Sequence, residues 1–235
     1  MKKVLLATAL SLCVTSAFAA DPSAVLKVKG TLTNAACTPV LSNGGTVDYG
    51  TINLGSLNAS AVNQLGQKNI DLTINCTAAT KVSWNMVDDR ADTNAGLTVE
   101  NGMFGGGIIK GASQTYGVGK TAGGVNIGSY ALLVKVDSVT ADGAAVDPIY
   151  QQNATGTWTK STNGSSQGSH IRDFTVASAG SLDPLAFQTA TFPLATSLAL
   201  QDTTTLAITD DTQLDGQLTI SLRLSLIHIS EPTRH

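Results

Sequence analysis

Ile70-Asp71-Leu72-Thr73-Ile74-Asn75-Cys76 alternates apolar and polar side chains without a break. A strand turns successive side chains to opposite faces, so this period of two predicts a half-buried β-strand. The same period recurs along the chain. Lys81 to Val87 places Val82, Trp84 and Met86 on one face. Tyr130, Leu132, Val134 and Val136 form another such run. Asp173–Val176, Phe187–Phe192, Thr205–Thr209 and Leu218–Leu222 read the same way, with Gly, Asn and Asp between them as turn residues. No segment carries a 3.6-residue period with caps. Many short strands without helices predict an all-β chain folded as a β-sandwich.

Composition points the same way. Of 235 residues only 13% are charged and 5% aromatic, while 23 are Gly and the only Glu residues are Glu100 and Glu231. So few helix-favouring charges argue against a helical bundle, and low charge with 42% hydrophobic content argues against disorder. A formal net charge of −3 provides no nucleic-acid footprint.

Both ends are set apart from the domain. Lys2 and Lys3 precede the apolar run Val4–Val14, and Ala17-Phe18-Ala19 is a small-x-small cleavage site. Residues 1–19 therefore read as a secretory signal peptide, with the mature chain starting at Ala20 or Asp21. The run is too short for a membrane span, and no longer apolar run follows it. At the other end, Leu224-Ser225-Leu226-Ile227-His228-Ile229-Ser230-Glu231-Pro232-Thr233-Arg234 resembles the translation of a transposon-end sequencing adapter, so residues 224–235 are set aside. Cys13 leaves with the signal. Cys37 and Cys76 remain, an even pair in an exported chain, and predict a disulfide. Closing a loop of about 40 residues stabilises by roughly 4 kcal/mol in the chain-entropy account.

Several motifs carry chemistry elsewhere but lack their context here. Gly164-Ser165-Ser166-Gln167-Gly168 satisfies G-x-S-x-G, with His170 and Asp173 close by. A nucleophile elbow needs a strand before the Ser and a helix after it, and this match lies in a polar loop. Gly117-Val118-Gly119-Lys120-Thr121 resembles part of a phosphate loop, but its first glycine position holds Gln114. Asp88-Asp89-Arg90-Ala91-Asp92 and Asp210-Asp211 lack the ligand spacing of a calcium loop. No catalytic residue, metal ligand or cofactor is predicted. Trp84 reads as core, and Trp158 as a loop aromatic. Gly102–Gly128 and Asn153–Ser169, rich in Gly, Ser, Thr and Asn, read as long surface loops.

Four segments carry a family resemblance. Gly30-Thr31-Leu32-Thr33-Asn34-Ala35-Ala36-Cys37 resembles the opening of fimbrial (pilin) subunits of the chaperone–usher pathway. Val47-Asp48-Tyr49-Gly50 resembles their next segment, Asp71–Cys76 the strand bearing the second half-cystine, and Gly216–Arg223 the last pilin strand. The likeness covers both ends of the mature chain and little of its centre. It is nearest to the longer fimbrial-like subunits whose domain lacks an assigned function. It implies an incomplete immunoglobulin-like sandwich over residues 30–223. In that family a periplasmic pilus chaperone lends the missing strand, and an outer-membrane usher and neighbouring fimbrial subunits complete assembly on the cell surface. Residues 20–29 are then a donor-strand extension. Alignment at Asn34–Cys37 points Leu26 and Val28 into a neighbour's groove, with Ala24 at the next inward position. Val25–Leu32 also reads as the domain's own first strand. The function so implied is a non-enzymatic fimbrial subunit with a role in adhesion, any surface receptor being unspecified. The alternatives are a minor or tip subunit that binds a ligand and a monomeric periplasmic or secreted β-sandwich binding protein.

Overall fold

Strand pairing follows the predicted alternation. A computed structural model describes residues 36–224. The signal peptide, the extension with Ala24, Leu26 and Val28, and residues 225–235 lie outside the described residues. Twelve strands are described: β1 (Cys37–Leu41), β2 (Asn63–Thr80), β3 (Val82–Asp88), β4 (Tyr116–Gly117), β5 (Gly128–Val134), β6 (Thr140–Ala141), β7 (Ala144–Ala145), β8 (Asp147–Gln152), β9 (Thr159–Lys160), β10 (Arg172–Ala177), β11 (Phe187–Leu200) and β12 (Leu218–Leu224). They form two antiparallel sheets, an all-β sandwich. One runs β1-β2-β11-β5-β4, with β6 and β7 appended beside β11. The other runs β12-β3-β10-β8-β9.

The inward faces are the apolar faces read from sequence. Ile70, Leu72 and Ile74 of β2 face Val82, Trp84 and Met86 of β3 in one core, and all six are buried. Trp84 joins the layers: its ring stacks on Phe174 of β10 at 5.0 Å and meets the edge of Phe192 of β11 at 5.6 Å. Such aromatic pairs add roughly 0.5–1.5 kcal/mol beyond area burial. Pro193 sits inside β11, where a missing N–H should cost a ladder bond. Its carbonyl accepts from Lys135, so its nitrogen faces the same edge, where β11 changes neighbour from β6 to β5. The proline falls in that gap.

Two expectations are corrected. Thr205–Thr209 is not a strand: Thr203–Leu206 forms a one-turn helix, α1, and Ala207 ends it in the left-handed region at φ 46°. The Asp202 side chain accepts from Thr205 N at 2.8 Å, and this cap satisfies an end donor that the threonine pattern would have turned to a ladder. The two Gly-rich stretches are not simple surface loops. Ile109, Tyr116, Val118 and Ile127 of the first are buried, as are Ser161, Ser165 and Ser166 of the second. They pack because β4 and β9 extend the two sheets through them.

Candidate functional site

Among the described residues, the sandwich is open along one side. β1 and β12 are the end strands of opposite sheets and lie close together there. Among the described residues, β12 pairs only with β3, and β1 only with β2. Beside them run two stretches of extended chain. Among the described residues, no ladder bond joins 46–53 or 208–214 to a neighbouring strand. Between these two walls lies a cleft of about 820 Å³. Its floor is the sandwich core itself, with Ile70 of β2, Leu132 of β5, and Leu194 and Leu198 of β11.

The first wall is held by its turn chemistry and by one tyrosine. Asp48 Oδ1 accepts from Gly50 N at 2.6 Å, and Gly50 takes φ +71°, a left-handed turn that suits glycine. The Tyr49 hydroxyl lies 3.1 Å from Thr196 O and 3.3 Å from Gly66 O, and so pins this wall to β11 and β2. Burial pushes the Tyr49 pKa up, and its hydrogen bond with Thr196 offsets part of that rise. The second wall descends from α1 through Ile208 and Leu214 into β12. Leu218 and Ile220 turn to the cleft with their apolar side chains half-buried. Period-two alternation along β12 aims these two residues at the groove and leaves Thr219 outside.

Among the described residues, the arrangement offers unpaired strand edges along a trough with an apolar floor. Such an edge is a template for pairing with another chain. An incoming strand would gain backbone bonds from the walls and pockets for its alternate side chains. Leu54 and Leu214 remain exposed along it.

The predicted half-cystines meet. Cys37 and Cys76 face each other across the β1–β2 register and form a disulfide. The bond fixes the short strand β1 to β2. The donor positions Ala24, Leu26 and Val28 lie outside the described residues. Part of the trough was legible in sequence. Ile70, Leu132, Val47–Gly50, Thr205–Thr209 and Leu218–Leu222 were singled out, whereas Ile52, Leu54, Leu57 and Leu214 sit in segments to which no strand was assigned. The signal available was the recurrence of isolated Leu and Ile in otherwise polar chain.

The G-x-S-x-G residues are not assembled as a triad. Ser166 Oγ donates to Leu132 O at 2.6 Å, so Tyr116 donates its hydroxyl to Ser166 at 2.6 Å. His170 instead meets Asn85 through Nδ1 at 2.7 Å, and Asn85 donates to the buried Asp173. Ser166 thus ties β4 and β5 to the second Gly-rich segment. Among the described residues, no group of three or more His, Cys, Asp or Glu could hold a metal ion, and no helix is long and apolar enough to cross a membrane.

Comparison with known proteins places this geometry in a family. The chain is 32% identical to Protein GltF of Escherichia coli (strain K12) over 238 residues, covering 92% of this chain and 94% of GltF. Residues 26–131 match the family described as "Protein of unknown function (DUF1120)". The chain belongs to this DUF1120 family. It is also 38% identical to Uncharacterized protein YhcF of the same organism over 133 residues, covering 54% of this chain and 56% of YhcF. The region matched to the DUF1120 family contains the disulfide, the first groove wall and strands β1–β4.

Proposed function

We propose that this DUF1120 protein is a structural subunit that polymerises non-covalently on the bacterial surface by strand addition, as fimbrial subunits of the chaperone–usher pathway do. The observation that supports it is the groove: a trough with an apolar floor between two walls that, among the described residues, carry no ladder bonds to a neighbouring strand. The occupant is the extension at residues 20–29 of a second copy. Leu26 and Val28 fill the trough, with Ala24 at the next inward position, and Lys27 and Lys29 face out. Burying a Leu or Val side chain fully is worth about 1.5–3 kcal/mol. Before assembly a periplasmic chaperone covers the same groove, since an exposed apolar edge invites aggregation. An outer-membrane usher then passes subunits to the surface, where the fibre serves adhesion. The role needs no cofactor and no catalytic residue.

A pair of substitutions tests this reading. Leu26→Asp with Val28→Asp places charge on the inward face of the extension and leaves the groove intact. Native mass spectrometry of periplasmic material is expected to show multimers of the parent chain and only monomer or chaperone-bound forms of the variant. Equal multimer content in both would overturn strand addition through these residues.

A further inference from the structure

Among the described residues, the carboxylates at the mouth of the groove form no ion pair. The first wall presents Asp48, and the second presents Asp210 and Asp211; all three are exposed. The cleft lining contains no Lys or Arg. The hydrogen bonds of these carboxylates are local and neutral: Asp48 accepts from Gly50 N, and Asp210 from the Thr209 hydroxyl. Among the described residues, the cations around the mouth are committed elsewhere or stand off. Arg90 pairs with Asp215 at 2.8 Å and Lys120 with Asp92 at 3.0 Å. Lys68 shares a shallow depression with Asp48 but forms no ion pair with it.

Resting on the groove reading above, we infer that these carboxylates select the entering strand by charge and favour one that alternates apolar and lysine residues. This chain's own extension has that pattern. Leu26 and Val28 share one face, and Lys27 and Lys29 share the other. With the apolar face seated on the floor, the lysine face comes up at the mouth. The long stems of lysine let each ammonium reach a wall while the methylenes cover apolar surface. A neutral strand of the same apolar face would gain the floor contacts alone. An acidic strand would meet three like charges, and a juxtaposition of that kind excludes wrong partners. The occupant is therefore a second copy's residues 20–29, chosen over other apolar strands by Lys27 and Lys29. Charge attraction of this kind acts mainly on the rate of encounter and fades as salt shortens the screening length.

The test uses the mature chain with Leu26→Asp and Val28→Asp, whose own extension is disabled. It is offered fluorescein-labelled peptides of residues 20–30 in about 20 mM and about 500 mM salt, well below and well above physiological screening. The parent peptide is expected to bind, and to bind less tightly in high salt. The Lys27→Gln, Lys29→Gln peptide is expected to bind roughly three- to tenfold more weakly at low salt, the scale of two exposed ion pairs, and to lose most of its salt dependence. Asp48→Asn with Asp210→Asn and Asp211→Asn in the protein should weaken the parent peptide similarly and leave the Gln peptide unmoved. If parent and Gln peptides bind equally at both salts while a Leu26→Asp, Val28→Asp peptide does not bind, charge selection is overturned and the groove reading stands. If the parent peptide itself fails to bind at either salt, the groove reading fails and this inference falls with it.

Discussion

Tyr49 joins a local turn to a distant strand. Its hydroxyl reaches Thr196, 147 residues away, and holds one groove wall against the central sheet. Burial raises its pKa, as it raises those of Tyr116 and Tyr130. For a group with a raised folded-state pKa, stability is fully present below the unfolded value, about 10 for tyrosine, and is lost as pH rises through the folded value. The prediction is an alkaline unfolding transition above pH ~10 in which these tyrosines ionise together as the fold opens. Tyrosinate absorbance and circular dichroism, followed in a Tyr150→Phe chain whose ring still lies under Arg172, check it. A smooth ionisation centred near pH ~10 with the fold intact would contradict the burial described. At this scale some residues were legible in sequence and some were not. Trp84 declared itself as core because Val82 and Met86 flank it at period two. Cys37 and Cys76 declared themselves by being the pair left in the mature chain. The anchoring of Tyr49 was not legible, because nothing local encodes a partner on β11.

Strands differ in how firmly each is held. β2 and β11 pair along most of their lengths and form the spine of the larger sheet. β1 is a five-residue edge strand, joined to the sheet by its ladder to β2 and by the disulfide. Replacing Cys37 and Cys76 together by Ser should cost about 2–5 kcal/mol of unfolding free energy. Guanidinium unfolding measures this, and an unchanged midpoint would show that the ladder alone holds β1. The elements misread from sequence have physical reasons. Thr205–Thr209 has the β-branched composition of a strand, but Asp202 caps the preceding turn and Ala207 closes it. Gly102–Gly128 reads as loop because its glycines dominate, yet some of them are demanded by packing. A side chain at Gly117 would collide with Arg90 O at 2.1 Å, and one at Gly128 with Ala199 O at 2.2 Å. Close backbone approach, rather than flexibility, accounts for those two positions.

As a whole, the molecule is a two-layer sandwich whose core is reached from one side. Ile70, Leu132, Leu194 and Leu198 belong at once to the interior and to the floor of the trough. A strand laid in that trough would finish the core and cover two unpaired edges in one step, and this coupling is the central claim. Fold class was legible from alternation alone, since the period-two runs fall in β2, β3, β5, β10, β11 and β12. The groove was not, because it exists only where β1 and β12, far apart in sequence, come together. The most direct measurement compares two forms of residues 20–223 produced in the periplasm. One is the plain chain; the other carries a second copy of residues 20–30 joined to its C-terminus through a flexible linker. A much higher guanidinium midpoint is expected for the fused form than for the plain chain. Equal midpoints, with the plain chain a folded monomer, would contradict it and identify a sandwich already complete without an added strand.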